Sequence, residues 1–440
     1  MKTSAFVLSC LVLVAAPVSP AFAAGSGSRY VALATDTAVS GGSTTLLSTT
    51  VTEASAGWLY VQSDGRYFPI SGGAAAYVYI VVDGTKVSND STIDWRGSTN
   101  PQQHAFNVIG AAQIAAGTHT VALVGTAIAG ATAIGAGSNL SAMTLAATTV
   151  VNNALAADTG VLTFNNDGVA DGIPFFQHTT VLQNTLFASG PLITLASGRS
   201  YYASAYGDAM WGLYVDGSEP SNAVMTWSDN DMWTGAELQA PMFNQSYLTM
   251  PAATHSVSLE ATSEPWIGDR VSYRVGANTR LISLTGGVTV SGVGLNSNSA
   301  LYGPSYILKG VCVGTNGFNP GNCPPDGTEV VVGQQSFTIP PGHNGVVMFT
   351  AKSRVQGDPA DAGGTVQFHI KIDGNPVGND GIQQLAAPDS VSTRTISASY
   401  LAAGSNQLAP GAHTVQVVGI ATGSFRNLVL LADAPVIWFD

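Results

Sequence analysis

Charge is scarce in this chain. Only 10% of its 440 residues are Asp, Glu, Lys or Arg, and the 15 basic ones nowhere cluster. Nucleic-acid binding by counterion release needs a Lys/Arg face, so no nucleic-acid partner is expected. With a formal net charge of −12, an anionic membrane surface is disfavoured for the same reason. Long hydrophobic runs are missing too. No segment reaches the roughly 18 apolar residues of a spanning helix, so no membrane span is expected. Cysteine is rare, at three residues. Neither a G-x-S-x-G elbow nor an H-E-x-x-H motif occurs, which removes the common local signatures of serine and zinc hydrolases.

The amino terminus predicts export. Lys2 supplies a positive end, Ala5 to Ala16 is an apolar run, and Ala21-Phe22-Ala23 is an A-x-A cleavage site. Residues 1–23 therefore read as a signal peptide and Ala24 as the mature start. The expected location is secreted, extracellular or cell-surface, or periplasmic in a Gram-negative host. Cys10 leaves with the signal. Cys312 and Cys323 remain, and in an exported protein the default is one disulfide across their Gly/Asn-rich loop, stabilising by roughly 3 kcal/mol or less. Two thiols without further Cys or His nearby do not make a zinc site.

The remaining 440 − 23 = 417 residues suit about three domains of roughly 150 residues. Fifty Gly and an abundance of Thr, Ser, Val and Ala favour strands and turns over helices. A repeat sharpens this. Val82-Asp83-Gly84, Val215-Asp216-Gly217 and Ile372-Asp373-Gly374 are each followed by His119-Thr120-Val121, His255-Ser256-Val257 and His413-Thr414-Val415. The Asp-to-His intervals are 36, 39 and 40. Three copies of one module are expected, over residues 30–150, 172–294 and 305–440, joined by Asn152 to Asp171 and by a Gly/Asn stretch from Gly292 to Ser299.

Alternation before each Asp-Gly predicts a strand whose core face carries Val82, Ile80 and Val78; Val215, Leu213 and Trp211; and Ile372, Ile370 and Phe368. The opposite face reads as solvent in the third module, with Lys371, His369 and Gln367. In the first and second it is Val81, Tyr79 and Tyr77, and Tyr214, Gly212 and Met210, which predicts burial against a neighbour. Each module closes on a further apolar strand, and many short strands between Gly/Pro/Asn turns argue for all-β architecture: three tandem antiparallel β-sandwich modules.

An apolar strand, a Pro340-Pro341-Gly342 turn, a second strand, V/I-D-G, a long middle, an A-G-x-H-T-V motif and a final apolar strand follow one another. This order resembles the C1q/TNF-like jelly-roll modules of bacterial surface and fibre proteins, over most of the mature chain. The resemblance implies jelly-roll topology, trimeric assembly, and adhesion or recognition. The collagen-like G-X-Y stalk often attached to such modules is not in this sequence. Three modules on one chain could pack as an intramolecular pseudo-trimer, or the chain could form a homo-oligomer.

Candidate chemistry is sparse. The three histidines share a strand face with core residues, so a rim histidine bonded to a turn is favoured over a ligand or catalyst. Glu260 and Glu264 flank an expected loop, where surface carboxylates need no special role. Asn165, Asp167 and Asp171 stand around Gly168 in a loop-like run of oxygen ligands, a weak calcium candidate beside the simpler reading of a solvated turn. No other cofactor is expected. The second module alone carries Trp227-Ser228-Asp229-Asn230-Asp231-Met232-Trp233. Trp227 and Trp233 offer stacking faces for sugar rings, and Asp229 and Asp231 accept from hydroxyls, although rim packing explains the same residues. Asn89, Asn139 and Asn244 begin N-x-S/T triplets. The expected function is an exported, non-enzymatic structural, adhesive or recognition protein. The alternatives are a carbohydrate-binding protein using the Trp/Asp loop, with a glycan or protein surface as partner, and a secreted glycan-active enzyme.

Overall fold

The computed structural model describes residues 27–94, 103–156, 162–165, 179–204, 208–218, 220, 226–228, 239–264, 270–287, 289–290, 305–310, 327–343, 345–385, 392–432 and 436–439. Among them the protein is all-β, with one 3-10 turn at Gly404–Asn406 and no α-helix. No helix among the described residues is long and apolar enough to cross a membrane.

Three antiparallel β-sandwich modules share one pairing scheme. In the first, Ser43–Glu53 pairs with Gly117–Ala129, and Gly57–Pro69 pairs with His104–Ile114. In the second, both pairings run along two continuous 26-residue strands, Thr179–Ser204 and Gln239–Glu264. In the third, Glu329–Ile339 pairs with Gly411–Ala432, while Val347–Ile372 pairs with Ser392–Ala402. The Asp-Gly strand joins the histidine strand in the same register each time: Val82 opposite Val121, Val215 opposite Val257, Ile372 opposite Val415. Register shifts break the long ladders, at Ala188/Gly190 for example, as expected where a strand bends from one layer of a sandwich to the other.

The first two modules begin with a strand, Arg29–Ala32 and Thr149–Leu155, laid antiparallel on their own last strand; in the third, Ser305–Gly310 lies antiparallel on the end of Gly411–Ala432. Thr149–Leu155 includes part of the expected first joint, which is therefore not all linker. Its seven residues pair with Arg280–Gly286 of the second module. Thr289–Val290 pairs with Val436–Phe439 and so belongs with the third module.

Each module has its own apolar core, containing the aligned residues Ile80 and Val82, Trp211 and Leu213, and Phe368 and Ile370. The opposite face of the Asp-Gly strand departs from expectation. Tyr77, Tyr79 and Val81 are only half-buried, and the two tyrosine rings stack on each other with the Lys86 ammonium over Tyr79. Tyr214 and Gly212 are buried as expected. In the third module His369 is buried rather than solvated, because Glu329 sits across from it and holds Lys371 in an ion pair.

The faces that meet between modules belong to the other layer. A fourth apolar cluster draws Tyr60, Ile109 and Met143 from the first module, Ile193, Phe243 and Ile282 from the second, and Met348 and Leu401 from the third. These side chains come from topologically matching strands, so apolar faces of all three modules meet in one shared cluster.

Candidate functional site: three Asp–His clasps and a polar junction

The Asp-Gly turn dictates the local geometry of each clasp. Asp83, Asp216 and Asp373 have φ of 49°, 51° and 50°, the left-handed region that Asp tolerates better than most residues. Each carboxylate reaches across to the start of the histidine strand. One oxygen accepts the backbone N–H of Thr120, Ser256 or Thr414 at 2.8, 2.9 and 2.8 Å. The other meets Nδ1 of His119, His255 or His413 at 2.6, 2.7 and 2.7 Å. Nε2 of each ring faces the backbone carbonyl four residues earlier, of Ala115, Pro251 or Ala409, at 2.9, 3.0 and 2.8 Å.

Both ring nitrogens thus face acceptors. A carbonyl oxygen cannot donate and an ionised carboxylate cannot either, so both nitrogens must carry protons. The arrangement fits an imidazolium against a carboxylate. Accordingly the hydrogen bond from His119 holds the Asp83 carboxyl below its ordinary range, with His255 and His413 acting likewise on Asp216 and Asp373. The histidines are pushed up, His119 chiefly by its bond to Asp83 and His255 chiefly by the Pro251 carbonyl. For His413 burial is the largest single influence and opposes the shift, but the Ala409 carbonyl and Asp373 together outweigh it. The expected rim role for the histidines is what the structure shows, with no coordination site left on either nitrogen.

The second constellation lies where modules meet. Asp64 is fully buried, four residues along the strand from Tyr60 of the shared apolar cluster. Its Oδ1 accepts from Asn107 Nδ2 at 2.8 Å and from Ser397 Oγ at 2.6 Å; its Oδ2 accepts from Gln62 Nε2 at 2.8 Å and from Ser399 Oγ. Tyr60 donates to Gln62 Oε1 at 2.7 Å and extends the chain. Beside it Asn139 donates to Asn379 Oδ1 at 2.9 Å and to the Ser399 carbonyl at 3.0 Å, and Ser197 of the second module donates to the Asn107 carbonyl at 3.0 Å. Burial pushes the Asp64 carboxyl up, against four hydrogen bonds that pull it down. No ion pair relieves it among the described residues. Elsewhere at the junctions Arg199 donates to Thr92 at 3.0 Å, Gln245 to the Thr350 carbonyl at 3.2 Å, and the Tyr30 and Tyr400 rings meet edge to face.

The residues expected to bind ligands fare differently. Trp227 sits on Thr226–Ser228, a short strand opposite Met210 at the end of the second module's sheet. Asp229, Asp231 and Trp233 lie outside the described residues. Asn165 ends a strand, opposite Arg270, rather than standing in a loop. Asp167 and Asp171 lie outside the described residues, as do Cys312 and Cys323. No cluster of three or more metal-ligating side chains occurs among the described residues. Glu260 and Glu264 are within one strand and do not flank a loop. The three N-x-S/T asparagines are all buried and hydrogen-bonded: Asn89 accepts from Ile109 N, Asn139 binds the third module, and Asn244 donates to the Trp211 carbonyl. None can receive a glycan in the folded chain.

Sequence reasoning did not single out Asp64. It also missed a repeat in the first two modules. Gly135 and Gly276 each donate a backbone hydrogen bond at 2.9 Å to the carbonyl of an arginine, Arg66 or Arg199, whose side chain crosses the glycine. A Cβ at either glycine would lie 2.3 Å from the arginine Nε. The matching Gly-Ala pairs at 135–136 and 276–277, each before a closing strand, were the available signal.

The fold and its clasps define an all-β protein of repeated antiparallel sandwiches joined into one body. No protein-family model matches the chain, and no curated protein does. Among solved structures it has a distant likeness to infectious bursal disease virus, Gx strain, at 9% identity and a TM-score of 0.23, covering 92% of this chain and 83% of that one. Sulfolobus turreted icosahedral virus gives 10% and 0.18, covering 86% and 83%. The ANXUR2 extracellular domain from Arabidopsis thaliana gives 9% and 0.18, covering 65% and 88%. At such TM-scores these likenesses carry no argument about function.

Proposed function

We propose that the protein is an exported, non-enzymatic scaffold with a structural, adhesive or recognition role, organised like a trimer of C1q/TNF-like modules on one chain. The observation that supports this reading most is the commitment of the repeated Asp and His side chains to structure: in all three modules the clasp closes a turn and leaves no free ring nitrogen. A site built three times in this way holds a fold. Exposed turns and module rims, not a catalytic cleft, are then the working surfaces. A hydrolase screen of the purified chain on polysaccharides and esters is expected to give no turnover; clear turnover abolished by heat denaturation would overturn the reading.

A second reading is glycan binding at the aromatic loop of the second module. Its support is the place of Trp227 on a terminal strand of the sheet, beside the Ser392–Ala402 strand of the third module. Titration with a glycan panel should show binding weakened by Trp227→Ala and Trp233→Ala; equal binding by all three proteins would sink it. Glycan binding without turnover separates this reading from a glycan-active enzyme.

A further inference from the structure

Two kinds of ionisable group in this fold are held in a protonation state that the solution can change. The first is the set of three clasps. His119 faces Asp83 and the Ala115 carbonyl, with Glu53 adding to the pull; His255 faces Asp216 and the Pro251 carbonyl; His413 faces Asp373 and the Ala409 carbonyl, with the Phe337 ring beside it. Deprotonation of any of these rings leaves one nitrogen lone pair against an oxygen lone pair, so one of its two hydrogen bonds is lost, while the carboxylate keeps the backbone N–H of Thr120, Ser256 or Thr414. The second is Asp64. The groups bonded to it are neutral: Gln62 on its own strand, Asn107 on His104–Ile114, and Ser397 and Ser399 on Ser392–Ala402, with Tyr60, Asn139 and Asn379 beside them. The same faces also carry two cations, Arg66 two residues along its strand and the buried Lys352 opposite Ser397. An ionised Asp64 is a desolvated charge with four donors and no ion pair among the described residues. A protonated Asp64 can donate to a serine Oγ once that hydroxyl turns, and the desolvation cost disappears.

We propose that the clasps and the Asp64 junction form one acid-set device: the clasp inside each module and the Asp64 contact between modules are held tightest in mildly acidic solution and loosen as it becomes alkaline. The signs agree. The raised histidines contribute stability that is full below their ordinary value near pH 6.5 and is lost as pH rises through the folded value. The raised Asp64 favours folding most at low pH, and that advantage is lost as pH rises through its folded value. The lowered Asp83, Asp216 and Asp373 set the acid limit, since their contribution is lost only as pH falls through their depressed values. The window of greatest stability lies between these limits. The proposal does not depend on the functional reading above.

The test uses the full chain. Histidine ring resonances followed by NMR, assigned with single His→Gln variants, should show His119, His255 and His413 titrating above pH ~6.5. Midpoints at or below that value for His119, His255 and His413 would overturn the proposal, and this measurement needs only folded wild type once assignments exist. An acidic chain also loses self-repulsion as it nears its isoelectric point, so thermal profiles must be read as differences between variants. Against wild type, H119Q/H255Q/H413Q should lower Tm most near pH 6 and least near pH 9, the difference changing by about 2–4 °C or more. D64N should raise Tm relative to wild type near pH 8, and the gain should vanish near pH 4, by a shift of about the same size. Differences that stay constant with pH in both variants would overturn the proposal. If the triple variant does not fold, D64N and the wild-type titration decide it.

Discussion

His255 Nδ1 lies 2.7 Å from Asp216 Oδ2, across 39 residues of chain, while the other oxygen of that carboxylate holds the N–H of Ser256 at 2.9 Å. One side chain thereby fixes a left-handed turn and the start of a strand that follows much later in sequence. The same geometry recurs at Asp83–His119 and Asp373–His413. It makes the clasp a register lock, which a one-residue slip would break because the slip turns the histidine to the other face.

Replacing Asp216 separates its two tasks. Asp216→Gly keeps the positive φ at no steric cost but removes the clasp; Asp216→Ala removes the clasp and strains the turn. Chemical denaturation should find the Gly variant destabilised by about 1 kcal/mol and the Ala variant by about 1 kcal/mol more. Equal losses would mean that the carboxylate, and not the turn geometry, carries the stability.

At the junction, volume and polarity can be varied separately. Asp64→Leu strands the amides of Gln62 and Asn107 and the hydroxyls of Ser397 and Ser399 in the interior. It should cost about 3 kcal/mol or more by denaturant titration. Asp64→Asn keeps the shape, and amide flips and hydroxyl rotation can restore most partners. That change should stay within about 1 kcal/mol of wild type near neutral pH.

Phe243 is 2% exposed in the cluster shared by all three modules. Phe243→Ala should cost about 3–5 kcal/mol through the cavity it leaves. Small-angle scattering of this variant should show a larger radius than wild type, since the lost contact lies between modules. Phe368 is buried within the third module's own core, so Phe368→Ala should destabilise without loosening the module packing.

Gly276→Ala places a methyl group on the path of Arg199, which donates to Thr92 of the first module. A double-mutant cycle of Gly276→Ala with Arg199→Ala should show coupling of about 1 kcal/mol, because the alanine matters only while the arginine is there. Strict additivity would show that the arginine moves aside at no cost.

Much of the module is legible in the sequence because its signals are local. Period-two alternation sets the core face at Val78, Ile80 and Val82, and Asp-Gly sets the turn, since few residue pairs accept positive φ twice in succession. Repetition multiplies each signal by three. Faces that meet another module are a different matter. Tyr77 and Tyr79 are half-buried within this chain, because an apolar face shows that something can cover it, whether another layer or another chain, and inside the chain the rings cover one another. The first strand of the second module was hidden in Asn/Ala-rich sequence, where Asn152 and Asn153 are polar because they bond across to the Thr185 and Ala111 carbonyls.

The sequence by itself determined an all-β chain, three copies of one sandwich, their internal register, and a rim role for the paired histidines. Each follows from neighbours a few residues apart or from one motif met three times. Only the tertiary structure decided that apolar faces of all three modules meet, that Asp64 is buried with no ion pair among the described residues, and that Asn89, Asn139 and Asn244 are internal. Those facts depend on side chains that meet from as far apart as Asp64 and Ser399, separated by 335 residues. Their juxtaposition is set by the packing of three preformed sheets, and no local pattern records it.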